Sequence, residues 1–158
     1  MSRKPAHLTG ENRLIRLLQD RYAGSSPLVL EGIGDDAAVV RPGLRGEHWA
    51  ITTDMLLENI DFRREWASPR SLGFKSVAVN LSDLAAMGAR PRFFTVSLAL
   101  PAGISERWIL GFYDGLTELG RAKGACLIGG DFSRSASGIM ISITALGESL
   151  NRKLVYRS

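Results

Sequence analysis

Hydrophobic and polar positions along the chain fall into blocks whose period switches between helical and strand-like. Leu14, Leu17, Leu18 and Tyr22 recur at helical spacing and predict a short amphipathic helix over Glu11–Tyr22. Turn-rich Gly24–Pro27 follows. Ala37–Val40 and Trp49–Thr53 read as strands, separated by a loop, Arg41–Glu47, that contains a Pro-Gly pair. Ser68-Pro69 supplies an N-cap and a proline at the first helical position, predicting a helix to about Met87 that stops at Gly88. Arg92–Leu100 (RFFTVSLAL) is a strand ended by Pro101-Ala-Gly. Ser105 caps a further helix to about Lys123, striped by Trp108, Ile109, Phe112, Leu116 and Leu119 and ended by Gly124. Ala125–Ile128 and Ile139–Leu146 complete the strands. Helices and strands alternate without strict βαβ order, which predicts an α/β or α+β domain with a mixed sheet packed by helices. Nothing in Asn151–Ser158 caps a helix or closes a turn, so the chain reads as the front part of something longer.

Composition adds boundaries. The chain has 158 residues, 45% of them hydrophobic, enough for one domain with its own core. Its net charge of +4 comes from scattered arginines, so neither a nucleic-acid partner nor a basic block is expected. A single cysteine, Cys126, leaves no internal disulfide framework and no cysteine-based zinc site, and reads as a small core residue of a strand. No apolar run approaches the length of a membrane span and Met1–Gly10 lacks an apolar leader core, so a cytoplasmic protein with no membrane partner is expected.

The carboxylates carry the chemistry. Of eight aspartates, Asp35, Asp36, Asp54, Asp61, Asp83 and Asp131 fall in or beside apolar elements. Any one alone reads more readily as a turn or cap residue. Asp83 stands out, because its helix is apolar almost all round and is expected to be buried. An unpaired carboxylate there would be costly or forced to protonate. Asn80 lies three residues earlier on the same face, and Lys75, eight residues back, is a stretch for a salt bridge. Asp54 and Asp131 each end an apolar strand and are expected to converge at one edge of a sheet. Clustered carboxylates repel, and hard divalent cations relieve the repulsion; oxygen-only donors, including Thr52 and Thr53, suit Mg²⁺ bridging to phosphate. His7 and His48 sit in no motif, and neither a P-loop nor a Gly-x-Gly-x-x-Gly fingerprint occurs. The residues alone therefore point to Mg²⁺-dependent phosphate chemistry.

At these same positions the chain resembles a known family. Gly32-Ile-Gly-Asp-Asp-Ala-Ala-Val39, Thr52-Thr-Asp-Met55, Val79-Asn-Leu-Ser-Asp-Leu-Ala-Ala-Met-Gly-Ala89 and Ile128-Gly-Gly-Asp131 are similar to the ordered motifs of thiamine-monophosphate kinases, within the aminoimidazole ribonucleotide synthetase-like superfamily. The resemblance runs from about Glu11 to Ser158. It implies transfer of the γ-phosphoryl of ATP to thiamine monophosphate, giving thiamine diphosphate. It also implies an amino-terminal domain spanning 1–158, with the family's carboxyl-terminal domain absent, and a homodimer completed through the sheet. Several Mg²⁺ ions are implied at Asp36, Asp54, Asp83 and Asp131, with Thr52 and Thr53 completing their shells. ATP contacts are implied at Tyr113, Gly130, Asp131 and Arg157, although Tyr113 reads equally as helix packing. No side-chain nucleophile is implied; the work is done by metal and charge.

Two departures stand out. The family's Val-His-Phe element reads Ile60-Asp61-Phe62, placing Asp61 where a histidine meets substrate. That extra negative charge beside a phosphorylated substrate is tolerable only with another cation, or the thiazolium, next to it. The family's Gly-Gly-Asp-Thr reads Gly129-Gly-Asp-Phe-Ser133, moving a hydroxyl by one residue. Arg63 and Arg64 are expected to be a solvated pair. The alternatives are another ATP-using synthetase of the superfamily, or a non-catalytic half that binds nucleotide and dimerises. A selenophosphate-type enzyme would carry a reactive cysteine near its start, which is missing.

Overall fold

The computed structural model describes residues 10–24, 26–31, 39–40 and 49–149. Helix α1 (Gly10–Tyr22) is followed by a small antiparallel pair, β1 (Val29–Glu31) and β2 (Val39–Val40). The main body is β3 (Trp49–Leu57), α2 (Pro69–Ala86), β4 (Ala89–Leu100), α3 (Glu106–Ala122), β5 (Cys126–Arg134) and β6 (Met140–Ser149). The expected helices and the strands from Trp49 onward are present, with β3 and β5 extending several residues past their predicted ends; β1 is not among the expected strands, and Ala37 and Ala38 of the expected strand Ala37–Val40 lie outside the described residues.

The four long strands form one mixed sheet in the order β3-β6-β4-β5. β6 is antiparallel to both β3 and β4, and β4 is parallel to β5. β3, β4 and β5 therefore all run the same way, and the connections between them carry α2 and α3. Both helices begin on their predicted caps: Ser68 Oγ accepts from Ser71 N–H and Ser105 Oγ from Trp108 N–H, each at 3.1 Å. Gly88 and Gly124 end them in the left-handed region, at φ 67° and 75°.

The helices pack closely on each other. A Cβ on Gly73 would lie 1.9 Å from Phe112 O, and one on Gly115 would lie 1.8 Å from Arg70 O. Their inner faces cover one side of the sheet, where Leu56, Val96, Leu98, Leu127, Ile141, Ile143 and Ala145 are buried. The opposite side of the sheet carries Ile51 and Met55, 67% and 60% exposed, with Met140 also exposed. No helix among the described residues is long and apolar enough to cross a membrane.

Candidate functional site

Two contacts set α2 against the outer strand β3. Thr52 Oγ1 donates to Asp83 Oδ2 at 3.0 Å, and Lys75 Nζ donates to the Asp61 carbonyl at 2.8 Å. The early residues of α2 thus sit beside the end of β3 and the late residues beside its start. Asp54 is two residues beyond Thr52, so it shares the helix-facing side of the strand. Burial raises the Asp54 carboxyl above its ordinary range, and the negative charge of Asp83 adds to the rise. Thr52, Asp54 and Asp83 are therefore one cluster, whereas the residues alone group Asp54 with Asp131 and only the resemblance sets Asp83 beside it.

Asp83 itself is exposed, contrary to the expectation of a buried helix. The buried stripe of α2 runs through Leu72, Gly73, Ser76, Val77, Asn80, Leu81 and Leu84. Asp83 lies on its flank, while Phe74, Ala85 and Ala86 face outward. An apolar sequence concealed which side was wet. The polar residues enclosed on α2 are Ser76, whose Oγ donates to Leu72 O at 2.8 Å, and Asn80, whose Nδ2 donates to Ser76 O at 3.3 Å while Oδ1 has no partner.

Asp131 does not join this cluster. Asp54 pairs in register with Ile143, which pairs with Val96, which pairs with Gly130. Asp131 is one residue further along β5, level with Ser97, Ser142 and Met55 on the opposite side of the sheet. β3 and β5 are the two outer strands, about 14 Å apart at three strand spacings. The expected convergence of Asp54 and Asp131 at one edge within a single chain is thus corrected. Neither residue ends its strand, and a bulge decides the side. Phe94 pairs with Leu127 and Thr95 with Gly129, leaving Ile128 extra and shifting every later side chain of β5 by one face. Gly130 packs so tightly that a Cβ would fall 1.9 Å from Val96 O. Thr53 also lies across the sheet from Thr52; its hydroxyl donates to Ile143 O and accepts from Thr144 Oγ1, both at 3.1 Å.

Asp61 closes the turn after β3. Its Oδ2 accepts from Leu57 N–H at 2.8 Å, and its own N–H donates to Leu57 O at 2.9 Å. Next to it, the Glu58 side chain is only 5% exposed; it accepts from Ile139 N–H at 2.8 Å and from Arg64 Nε. Arg64 is therefore a structural partner, not half of a solvated pair, while Arg63 lies over the Trp66 ring at 5.0 Å. The Glu58–Ile139 contact that buries the glutamate spans 81 residues and leaves no local sequence signal. Tyr113 is 3% exposed, with ring neighbours Tyr22, Phe112 and Phe132, so the packing reading of this residue is the one realised. Asp36 and Arg157 lie outside the described residues.

A family model described as "AIR synthase related protein, N-terminal domain" matches residues 34–149, most of the chain. The chain belongs to this family. It is 37% identical over 158 residues to the thiamine-monophosphate kinase of Synechococcus elongatus, covering 100% of this chain and 46% of that protein. The crystal structure of thiamine-monophosphate kinase from Stenotrophomonas maltophilia K279a superposes with a TM-score of 0.75 at 37% identity, covering 97% of this chain and 45% of that one. AaThiL complexed with AMPPCP and TMP is similar at a TM-score of 0.66 and 27% identity, covering 98% and 46%. The chain thus spans a little under half the length of these relatives.

In this AIR synthase related domain the β3–α2 cluster presents only oxygen donors. Among the described residues no lysine or arginine pairs with Asp54 or Asp83. The Asp54 carboxyl is raised first by burial and then by the like charge of Asp83, whose carboxylate is already oriented by a hydroxyl. That donor set fits a hard divalent cation that keeps waters and phosphate oxygens in its remaining positions. Among the described residues no group of three or more acidic, histidine or cysteine side chains gathers in one place, so the pair is the nucleus of the site and not a closed cage.

Proposed function

We propose that the chain is the amino-terminal, ATP- and Mg²⁺-binding domain of a cytoplasmic thiamine-monophosphate kinase that forms thiamine diphosphate. The observation that carries this reading is the Thr52–Asp83 hydrogen bond, which holds Asp83 beside the raised carboxyl of Asp54 in a chain whose relatives are thiamine-monophosphate kinases. The complex of AaThiL with AMPPCP and TMP supports the choice of donor and acceptor.

In this reading Asp54 and Asp83 anchor the cation, and Asp36 joins them. Thr52 fixes the Asp83 carboxylate so that little reorganisation is needed on binding. When bound, Mg²⁺ offsets charge on the phosphate oxygens and helps align donor and acceptor. Arg157 and Gly130 serve the nucleotide. Asp131 and Thr53, on the other side of the sheet, serve a separate part of the assembly. That side, with Ile51, Met55 and Met140 exposed, is the surface we assign to a homodimer.

The deciding experiment is phosphoryl transfer from ATP to thiamine monophosphate, assayed on this chain and on a form extended to the length of its relatives, with and without Mg²⁺. Turnover that requires Mg²⁺ supports the reading. Failure of the chain to bind an ATP analogue with Mg²⁺, together with no turnover in the longer form, would overturn it.

A further inference from the structure

A cavity of about 560 Å³ opens between the chain leaving α1, the end of α3 and the start of β5. A volume of this size takes a small organic molecule. β5 lies three strand spacings, about 14 Å, from β3, so the cavity is separate from the Asp54–Asp83 cluster. Tyr22, Pro27, Phe94, Ala125 and Leu127 give it apolar walls. One wall is pinned by close packing: a Cβ on Gly24 would lie 2.6 Å from Cys126 Cβ, so only glycine lets the chain after α1 lie this near to β5.

The side-chain groups left to meet a ligand are chiefly donors. Among the described residues no carboxylate lines the cavity. Arg121, in the last turn of α3, does line it, and also borders a second cavity that contains Asp114 and Glu118. Both of those acids are engaged elsewhere. Asp114 accepts from Tyr22 Oη at 2.7 Å and pairs with Arg21 at 3.3 Å, while Glu118 pairs with Arg70 at 2.8 Å. Among the described residues Arg121 has no ion-pair partner. Its charge reaches into the first cavity, where it opposes the rise that burial imposes on the Cys126 thiol. Ser26 Oγ accepts from Leu28 N–H at 3.3 Å, which leaves its own proton to donate. The Thr117 hydroxyl, by contrast, donates to Tyr113 O at 2.8 Å. A guanidinium and a hydroxyl proton thus stand against apolar walls.

We propose that this cavity binds a small organic anion, an apolar body whose single carboxylate or phosphate is held by Arg121 and Ser26. A guanidinium pairs with either head group, and the walls enclose the rest. The site does not depend on the kinase reading, since none of its residues belongs to the carboxylate cluster.

The test is a ¹H–¹⁵N NMR titration of the full chain at constant ionic strength, with phenyl phosphate, benzoate and the neutral benzyl alcohol as probes. Wild type is compared with Arg121→Met and with Lys123→Met, which removes a like charge two residues away that does not line the cavity. For probes this small a Kd of about 1–10 mM is expected. The anions should move the amides of Ser26, Thr117, Gly124 and Cys126, the tighter of the two identifying the head group, and benzyl alcohol should bind about fivefold more weakly. Arg121→Met should weaken the anions about fivefold, and Lys123→Met less than about twofold. No movement of those amides in wild type, benzyl alcohol binding as well as the anions, or equal losses in the two variants would each overturn the site.

Discussion

The Thr52 hydroxyl hydrogen-bonds the Asp83 carboxylate at 3.0 Å, joining an edge strand to the helix that follows it. The contact spans 31 residues of sequence and leaves Asp54 beside a like charge with no cation among the described residues to balance it. An arrangement that is electrostatically unfavourable when empty is one that a divalent cation improves.

Replacing Asp54 by Asn removes the repulsion and the ligand together. Binding of Mn²⁺, followed by its electron paramagnetic resonance signal, should weaken about tenfold or more. The thermal midpoint without metal should hold steady or rise. Wild-type Mn²⁺ affinity in this variant would exclude Asp54 from the site.

Acid titration offers a second check. Asp54 is raised in the folded chain above the ordinary aspartate value of 3.8, first by burial and then by Asp83. The folded state therefore holds more protons than the unfolded state across that interval, and this group's contribution to stability is lost as pH rises through the folded value. Urea unfolding in the presence of a chelator, from pH 3.5 upward, should show this downward component. Asp54→Asn should lack it, and identical pH profiles for the two proteins would contradict the assignment.

Gly115 is fixed by packing. A methyl group there would lie 1.8 Å from Arg70 O, so Gly115→Ala must push α3 from α2. The expected loss is about 1–3 kcal/mol or more in chemical denaturation. A variant as stable as wild type would mean that the helices are not so closely apposed.

The exposed side of the sheet bears on assembly. If a second copy covers Ile51 and Met55, light scattering at micromolar concentration should give a dimer, and Ile51→Glu should give a monomer that still folds. A wild-type monomer would leave that surface to another partner.

Much of this architecture can be read from the sequence because its signals are local. The caps at Ser68 and Ser105 and the stops at Gly88 and Gly124 each depend on a few adjacent residues, and all occur where expected. The neighbourhood of Thr52 and Asp54 is legible as chemistry, oxygen donors two residues apart on one strand, but the residues alone pair Asp54 with Asp131, and only the resemblance brings in Asp83. What local patterns do not carry is phase. The wet flank of α2 depends on where α3 and the sheet press against it. The direction of Asp131 depends on one unpaired residue, Ile128. Lys75 looked too distant for Asp83 and proved to be oriented by Asp61, reached only after the chain reverses direction.

The extra residue in β5 imposes a rule of parity on that strand. Pairing Ile128 with Thr95, with no residue lost, would set Asp131 opposite Leu98 and rotate it toward the helices and Phe132 away from the core, whereas removing Ile128 outright would leave both on the faces they hold now. Bulge and length are therefore tied: a relative one residue shorter here should lack the bulge, and one of equal length should keep it.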